Sequence, residues 1–162
     1  MTIPRESLRV RCGLPPEARV LMAAGDYLRG DGMRMAVWAF DVLKYVAPDL
    51  HLILIGDGPE RDRVRRFARS LGFDDDRVRF ADDNPLTAAA EADLAWCTHP
   101  RGGLPFLRAA LACGVPAVAV RTADTEALPG LILSPPGDPV GLATATRAAL
   151  GRLAPFRPGA VT

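Results

Sequence analysis

The sequence predicts a doubly wound α/β domain built on a parallel sheet of about six strands. Short continuous apolar runs alternate with longer stretches of helical period, and that alternation is the signature of strand–helix–strand crossovers. The apolar runs also lack a polar face, as strands covered on both sides of a sheet must. At 162 residues, 49% hydrophobic and 24% charged, the chain is sized for one core and too rich in apolar residues for a disordered one.

Val20-Leu21-Met22-Ala23-Ala24 is the first such run, closed by Gly25. Met33, Ala36, Val37, Phe40 and Leu43 then recur on one helical face that ends before Pro48, because a residue preceding proline is pushed out of the helical region. Leu50 to Ile55 is the second strand, closed by Gly56-Asp57-Gly58. Pro59 suits a first helical position, and Val64, Phe67, Ala68 and Leu71 form the stripe before Gly72. Val78-Arg79-Phe80 is a short strand. Asn84-Pro85 can cap a small helix through Ala92, and Leu94 to Cys97 is the fourth strand.

Gly102 and Gly103 precede a helix with the stripe Phe106, Ala109, Ala110, Cys113, ended by Gly114. Val115 to Val120 and Leu131 to Leu133 are the last two strands. Asp138-Pro139 opens a final helix carrying Leu142, Ala145, Thr146, Ala149, Leu150 and Leu153. The reading divides the chain into a linker or short helix over 1–13, the domain over 14–153 and a flexible tail over 154–162.

Twenty basic residues against nineteen acidic leave a net charge of +1, so bulk charge makes no case for a nucleic-acid partner. No apolar run approaches the ~18 residues of a membrane span, and the start lacks the apolar stretch of a signal peptide. Cys12, Cys97 and Cys113 have neither metal nor redox spacing. They read as small buried hydrophobes in a reducing, cytoplasmic setting. Two histidines cannot make a His-rich metal centre, and no cofactor is implied.

In a doubly wound sheet, ligands bind outside the carboxyl ends of the strands near the point where strand order reverses. The loops at 25–32, 56–60, 81–84, 98–104 and 121–129 are therefore the candidate site. Gly56-Asp57-Gly58-Pro59-Glu60-Arg61 is not a dinucleotide fingerprint, since it follows the second strand and lacks the third glycine. Pro100-Arg101-Gly102-Gly103 follows a strand and opens a helix, which points backbone amides and a positive dipole end at the crevice. His99 lies at the crevice mouth with no carboxylate at a catalytic spacing. Trp38 and Trp96 read as core or interdomain packing.

Four segments carry a resemblance in order and at matching intervals. They are His51–Arg61, Arg77–Phe80, Ala109–Ala119 and Pro136–Pro139. Together they resemble the C-terminal domain of the group 1 (family 4) retaining glycosyltransferases, enzymes with two Rossmann-like domains. The resemblance implies that a nucleotide-diphospho-sugar lies against Gly25, Gly56, Gly58, Pro59, Arg101, Gly102, Gly103 and Glu126. It also implies an N-terminal Rossmann-like acceptor domain in the full-length protein, without which this chain alone is expected to be inactive.

The charged positions depart from the family pattern. Where relatives carry Gly-Arg after the first strand and Lys-Gly before the first helix, this chain has Gly25-Asp26 and Asp31-Gly32. The family's two glutamates fall at Arg101 and Ala109. Glu126 alone matches an acidic family position. Two expectations follow: a donor half with impaired grip, or a catalytically inactive module that docks a partner. Arg101 is expected to face Asp26 or Asp31 across neighbouring loops.

Overall fold

The computed structural model describes residues 7–153 with 31 and 75 excepted, and for 100–102 the backbone alone. The elements are α1 (Leu8–Arg11), β1 (Arg19–Ala24), α2 (Met33–Leu43), β2 (Leu50–Ile55), α3 (Arg61–Ser70), β3 (Val78–Ala81) and α4 (Pro85–Ala88). There follow β4 (Leu94–Cys97), α5 (Pro100–Ala112), β5 (Ala117–Val120), α6 (Ala123–Glu126), β6 (Ile132–Ser134) and α7 (Pro139–Arg152). The six strands lie in the order β3-β2-β1-β4-β5-β6, all pairs parallel. The chain winds outward from β1 to β3, then crosses back to β4, so strand order reverses between β1 and β4.

The absence of a polar face in the strands has a direct structural counterpart. Leu21, Ala23, Leu52, Leu54, Leu94 and Trp96 pack with α2 and α7 on one side of the sheet. Their alternates Val20, Met22, Ala24, Ile53, Ile55, Ala95 and Cys97 pack with Leu8, α4 and α5 on the other. Side chains of a strand alternate faces, and here both faces are covered. Trp96 is fully buried and its indole N–H donates to Thr146 Oγ1 on α7 at 2.7 Å.

Several boundaries differ from the sequence reading. Pro59 is not the first helical residue; α3 starts at Arg61 because the Glu60 N–H donates to the Tyr27 carbonyl at 2.9 Å and holds 59–60 in a turn. Gly102 and Gly103 do not precede α5 but lie within its first turn. β5 begins at Ala117, with the Pro116 carbonyl still accepting from Ala95 N–H. β6 is shifted by one residue, to Ile132–Ser134. The short α6, closed by a reciprocal Thr122–Thr125 capping box, had no hydrophobic period to announce it.

Cys97 is buried as expected, but Cys12 is half-buried and Cys113 is exposed. Gly114, at φ +75°, turns the chain off α5 toward the next strand there. Trp38 is 53% exposed, so it is not core. With Val42 of α2 and with Tyr45 and Val46 in the turn that follows it, Trp38 forms an outward apolar patch. The linker region contains α1, pinned by Leu8 N–H to Glu91 Oε1 at 2.7 Å and by Arg9 to Asp93. The proposed tail, 154–162, lies outside the described residues. No described helix is long and apolar enough to cross a membrane.

Candidate functional site

The loops after β1, β2 and β4 meet at the carboxyl end of the sheet, where the strand order reverses. Their closeness rests on missing side chains. Gly56 adopts φ +128°, and a Cβ there would lie 1.9 Å from the Gly25 carbonyl oxygen. A Cβ on Gly58 would lie 1.8 Å from the Asp26 carbonyl oxygen. Gly25 N–H donates to Ile55 O at 3.0 Å and Gly56 N–H to Ala81 O at 3.2 Å, which extends the sheet pairing into the loops. Gly56 and Gly58 thus serve by close backbone packing.

On the other side of the switch point, Gly32 caps α2 at φ +84° and presses on Thr98, whose Cβ would be 2.8 Å from an added Cβ. The loops after β1 and β4 are neighbours, as the strand order required. Gly103 fits between strand ends: a Cβ would meet Cys97 Sγ at 3.2 Å and the Ala24 carbonyl at 3.3 Å. α5 can therefore start directly against the sheet, with its positive end at the crevice. The Gly103 amide, expected to be available to a ligand, instead donates to the His99 carbonyl at 3.1 Å. Burial pushes the Cys97 thiol up to about 12, so it is no nucleophile.

Tyr27 occupies the floor of the first loop, fully buried and at φ +49°. A tyrosine in the left-handed region is unusual. Its ring lies 6.4 Å from that of Phe80, and its carbonyl takes the Glu60 amide. Around this floor stand carboxylates. Asp26 is exposed, and among the described residues no cation lies within ion-pair distance of it. Asp57 and Asp82 both approach Arg61, Asp57 at 3.8 Å, so that arginine ties the loops after β2 and β3 together. Pro59 is exposed on the same rim.

Glu126 ends α6, one strand beyond β4, and accepts from Arg121 at 3.0 Å in an exposed pair. Asp31 and the Arg101 side chain lie outside the described residues, and so does the expected pair between them. Among the described residues no His/Cys/Asp/Glu group could hold a metal ion.

The comparisons with known proteins agree with this geometry. The family model of the glycosyl transferases group 1 matches residues 18–152. A lipopolysaccharide core biosynthesis glycosyltransferase of Rhizobium meliloti, LpsE, is 32% identical over 118 residues, covering 70% of this chain and 33% of that protein. The chain belongs to the group 1 glycosyltransferases.

A GDP-mannose-dependent phosphatidylinositol dimannoside mannosyltransferase of Mycobacterium tuberculosis is 42% identical over 79 residues, 46% of this chain and 20% of that protein. The chain thus spans a third or less of the length of the curated glycosyltransferases it matches. Among solved structures, Anabaena HepE, crystallised with UDP and glucose, superposes with a TM-score of 0.76 at 22% identity, over 90% of this chain and 42% of that one. The C-terminal domain of Francisella tularensis LpcC gives 0.68 at 19% identity, over 88% and 80%. At these identities the superpositions establish the shared doubly wound α/β fold.

Proposed function

We propose that this chain is the donor-side half of a group 1 glycosyltransferase whose hold on the donor diphosphate is weakened. The observation that carries it is the start of α5 against the ends of β1 and β4. Gly103 brings the helix end close enough for a phosphate to lie on it. On this reading the donor would lie against Gly25, Gly56, Gly58 and Pro59 on one side and against Arg101, Gly102 and Gly103 on the other, with Glu126 toward the sugar. An N-terminal Rossmann-like domain in the full-length protein would supply the acceptor.

Asp26 is the source of the weakening. A carboxylate at ~4 Å from a phosphate oxygen opposes it by about 1 kcal/mol in bulk water and by about 4 kcal/mol at an effective dielectric of 20. An arginine there would attract by the same amount. The mannosyltransferase relative is described as GDP-mannose-dependent, so GDP-mannose belongs beside UDP-glucose among the trial donors.

Calorimetric titration with UDP, GDP, UDP-glucose and GDP-mannose tests the proposal. A Kd tighter than about 1 mM, roughly −4 kcal/mol, supports donor binding. Silence toward all four in a folded protein refutes it and favours the second reading, a glycosyltransferase fold retained for docking a partner. That reading draws on the outward apolar patch at the end of α2, where Trp38 in the helix and Tyr45 just beyond it are 53% and 78% exposed.

A further inference from the structure

We propose that the outer edge of the sheet holds a second, separate anion site, selective for a single phosphate group. Arg65 of α3, Arg79 and Phe80 of β3, and Arg11 and Cys12 at the end of α1 line one cavity of about 240 Å³. β3 is the edge strand, two strands away from β1, so the cavity is set apart from the donor crevice. The site does not depend on the donor reading.

Three guanidiniums converge on this cavity, and two of them, Arg65 and Arg79, keep donors that no described carboxylate uses. Arg11 is engaged by Asp83, to whose carboxylate it donates from both terminal nitrogens. Among the described residues, the carboxylate that pairs with Arg79 is Asp76, at 3.9 Å, whose side chain is 87% exposed. Arg65 lies over the Phe80 ring at 5.0 Å and has no carboxylate partner among the described residues. The Nε atoms of Arg65 and Arg79 are both buried without a hydrogen-bond partner among the described residues. A native fold rarely leaves buried N–H groups unpaired unless water or an ion satisfies them.

The backbone adds a further donor. Leu52 N–H takes the Arg77 carbonyl and Gly56 N–H takes the Ala81 carbonyl, so the odd residues of β3 pair with β2. The Phe80 amide therefore faces outward along the edge. A planar guanidinium fork suits the tetrahedral oxygens of a phosphate. The volume is smaller than the roughly 300–1,000 Å³ of pockets for drug-sized ligands. A phosphate or a small phosphomonoester matches this size.

The test is calorimetry on the full chain at constant ionic strength. The probes are inorganic phosphate, glycerol 3-phosphate, and phosphatidylcholine vesicles with and without phosphatidic acid. Saturable phosphate binding is expected, with chloride ineffective. It should weaken at least tenfold in Arg65→Gln and in Arg79→Gln, each first shown folded by circular dichroism. Arg11→Gln, at the exposed end of the site, should weaken it less and serves as the check if a β3 variant fails to fold. Stronger binding to phosphatidic acid vesicles than to glycerol 3-phosphate would make a lipid headgroup the source; the reverse would make it a soluble phosphomonoester. No saturable phosphate signal up to tens of millimolar overturns the proposal. So does binding that survives all three substitutions, or binding abolished by Arg101→Gln instead.

Discussion

Replacing Gly56 by alanine tests the claim that the crevice exists because two loop backbones touch. The added Cβ would lie 1.9 Å from the Gly25 carbonyl oxygen, where ordinary contact begins at 3.4 Å. Both atoms belong to backbone, so no side-chain rotation relieves the clash. At φ +128° an L-residue is also strained, by about 1–3 kcal/mol. The loops must separate, which puts at risk the Gly25–Ile55 and Gly56–Ala81 hydrogen bonds. A buried group left unpaired costs about 1–3 kcal/mol. The expected loss is therefore at least ~3 kcal/mol, read as a shift of the urea midpoint at unchanged slope. Gly72→Ala is the control. Its φ is +86° but nothing lies within 4 Å, so only the left-handed strain of ~1–2 kcal/mol applies. If Gly56→Ala costs no more than Gly72→Ala, the packing account of the crevice is wrong.

Three further outcomes are expected. Asp26→Arg should tighten UDP binding about thirtyfold, ~2 kcal/mol at the bulk-water limit, by calorimetry; unchanged affinity would remove Asp26 from the account of weak grip. Thr146→Val leaves the buried indole N–H of Trp96 without its acceptor, and should cost ~1–3 kcal/mol in denaturant melts. His51 is buried and its Nδ1 meets the Asp76 carbonyl at 2.8 Å. Burial, with Arg77 and Arg79 nearby, holds its pKa below 6.5. The unfolded chain therefore takes up its proton first, so the stabilising contribution is whole above pH 6.5 and declines as pH falls through the folded value. Urea midpoints at about pH 7.5 and pH 5.5 should differ less in His51→Gln than in the parent chain.

The sheet was legible from local pattern because its strands are covered on both faces and each reads as a continuous apolar run. The helices α2, α3, α5 and α7 were legible because one face of each is apolar at helical spacing. Of the two readings of Trp38, core or interdomain packing, the core one fails for a related reason. A large apolar side chain raises the expectation of burial, yet whether α2's second face meets anything is a property of neighbours, not of the helix. Cys113 likewise continues the α5 stripe by spacing but lies where the chain turns away.

The family and the fold were thus determined by sequence alone. Hydrophobic periodicity and turn residues act over a few positions and need no partner to be read. What only the tertiary structure decided is how groups distant in the chain use each other. Gly56 and Gly58 are written as a turn, but their need for glycine comes from the Gly25 and Asp26 carbonyls some thirty residues earlier. The Gly103 amide looked free beside its neighbours and is taken by His99 once α5 begins at Pro100. Arg11, Arg65 and Arg79 are unremarkable in a chain with so many arginines. They become a site because α1, α3 and the edge strand bring them to one cavity. Contacts of this kind depend on packing at ångström scale, to which residue type and spacing along the chain are blind.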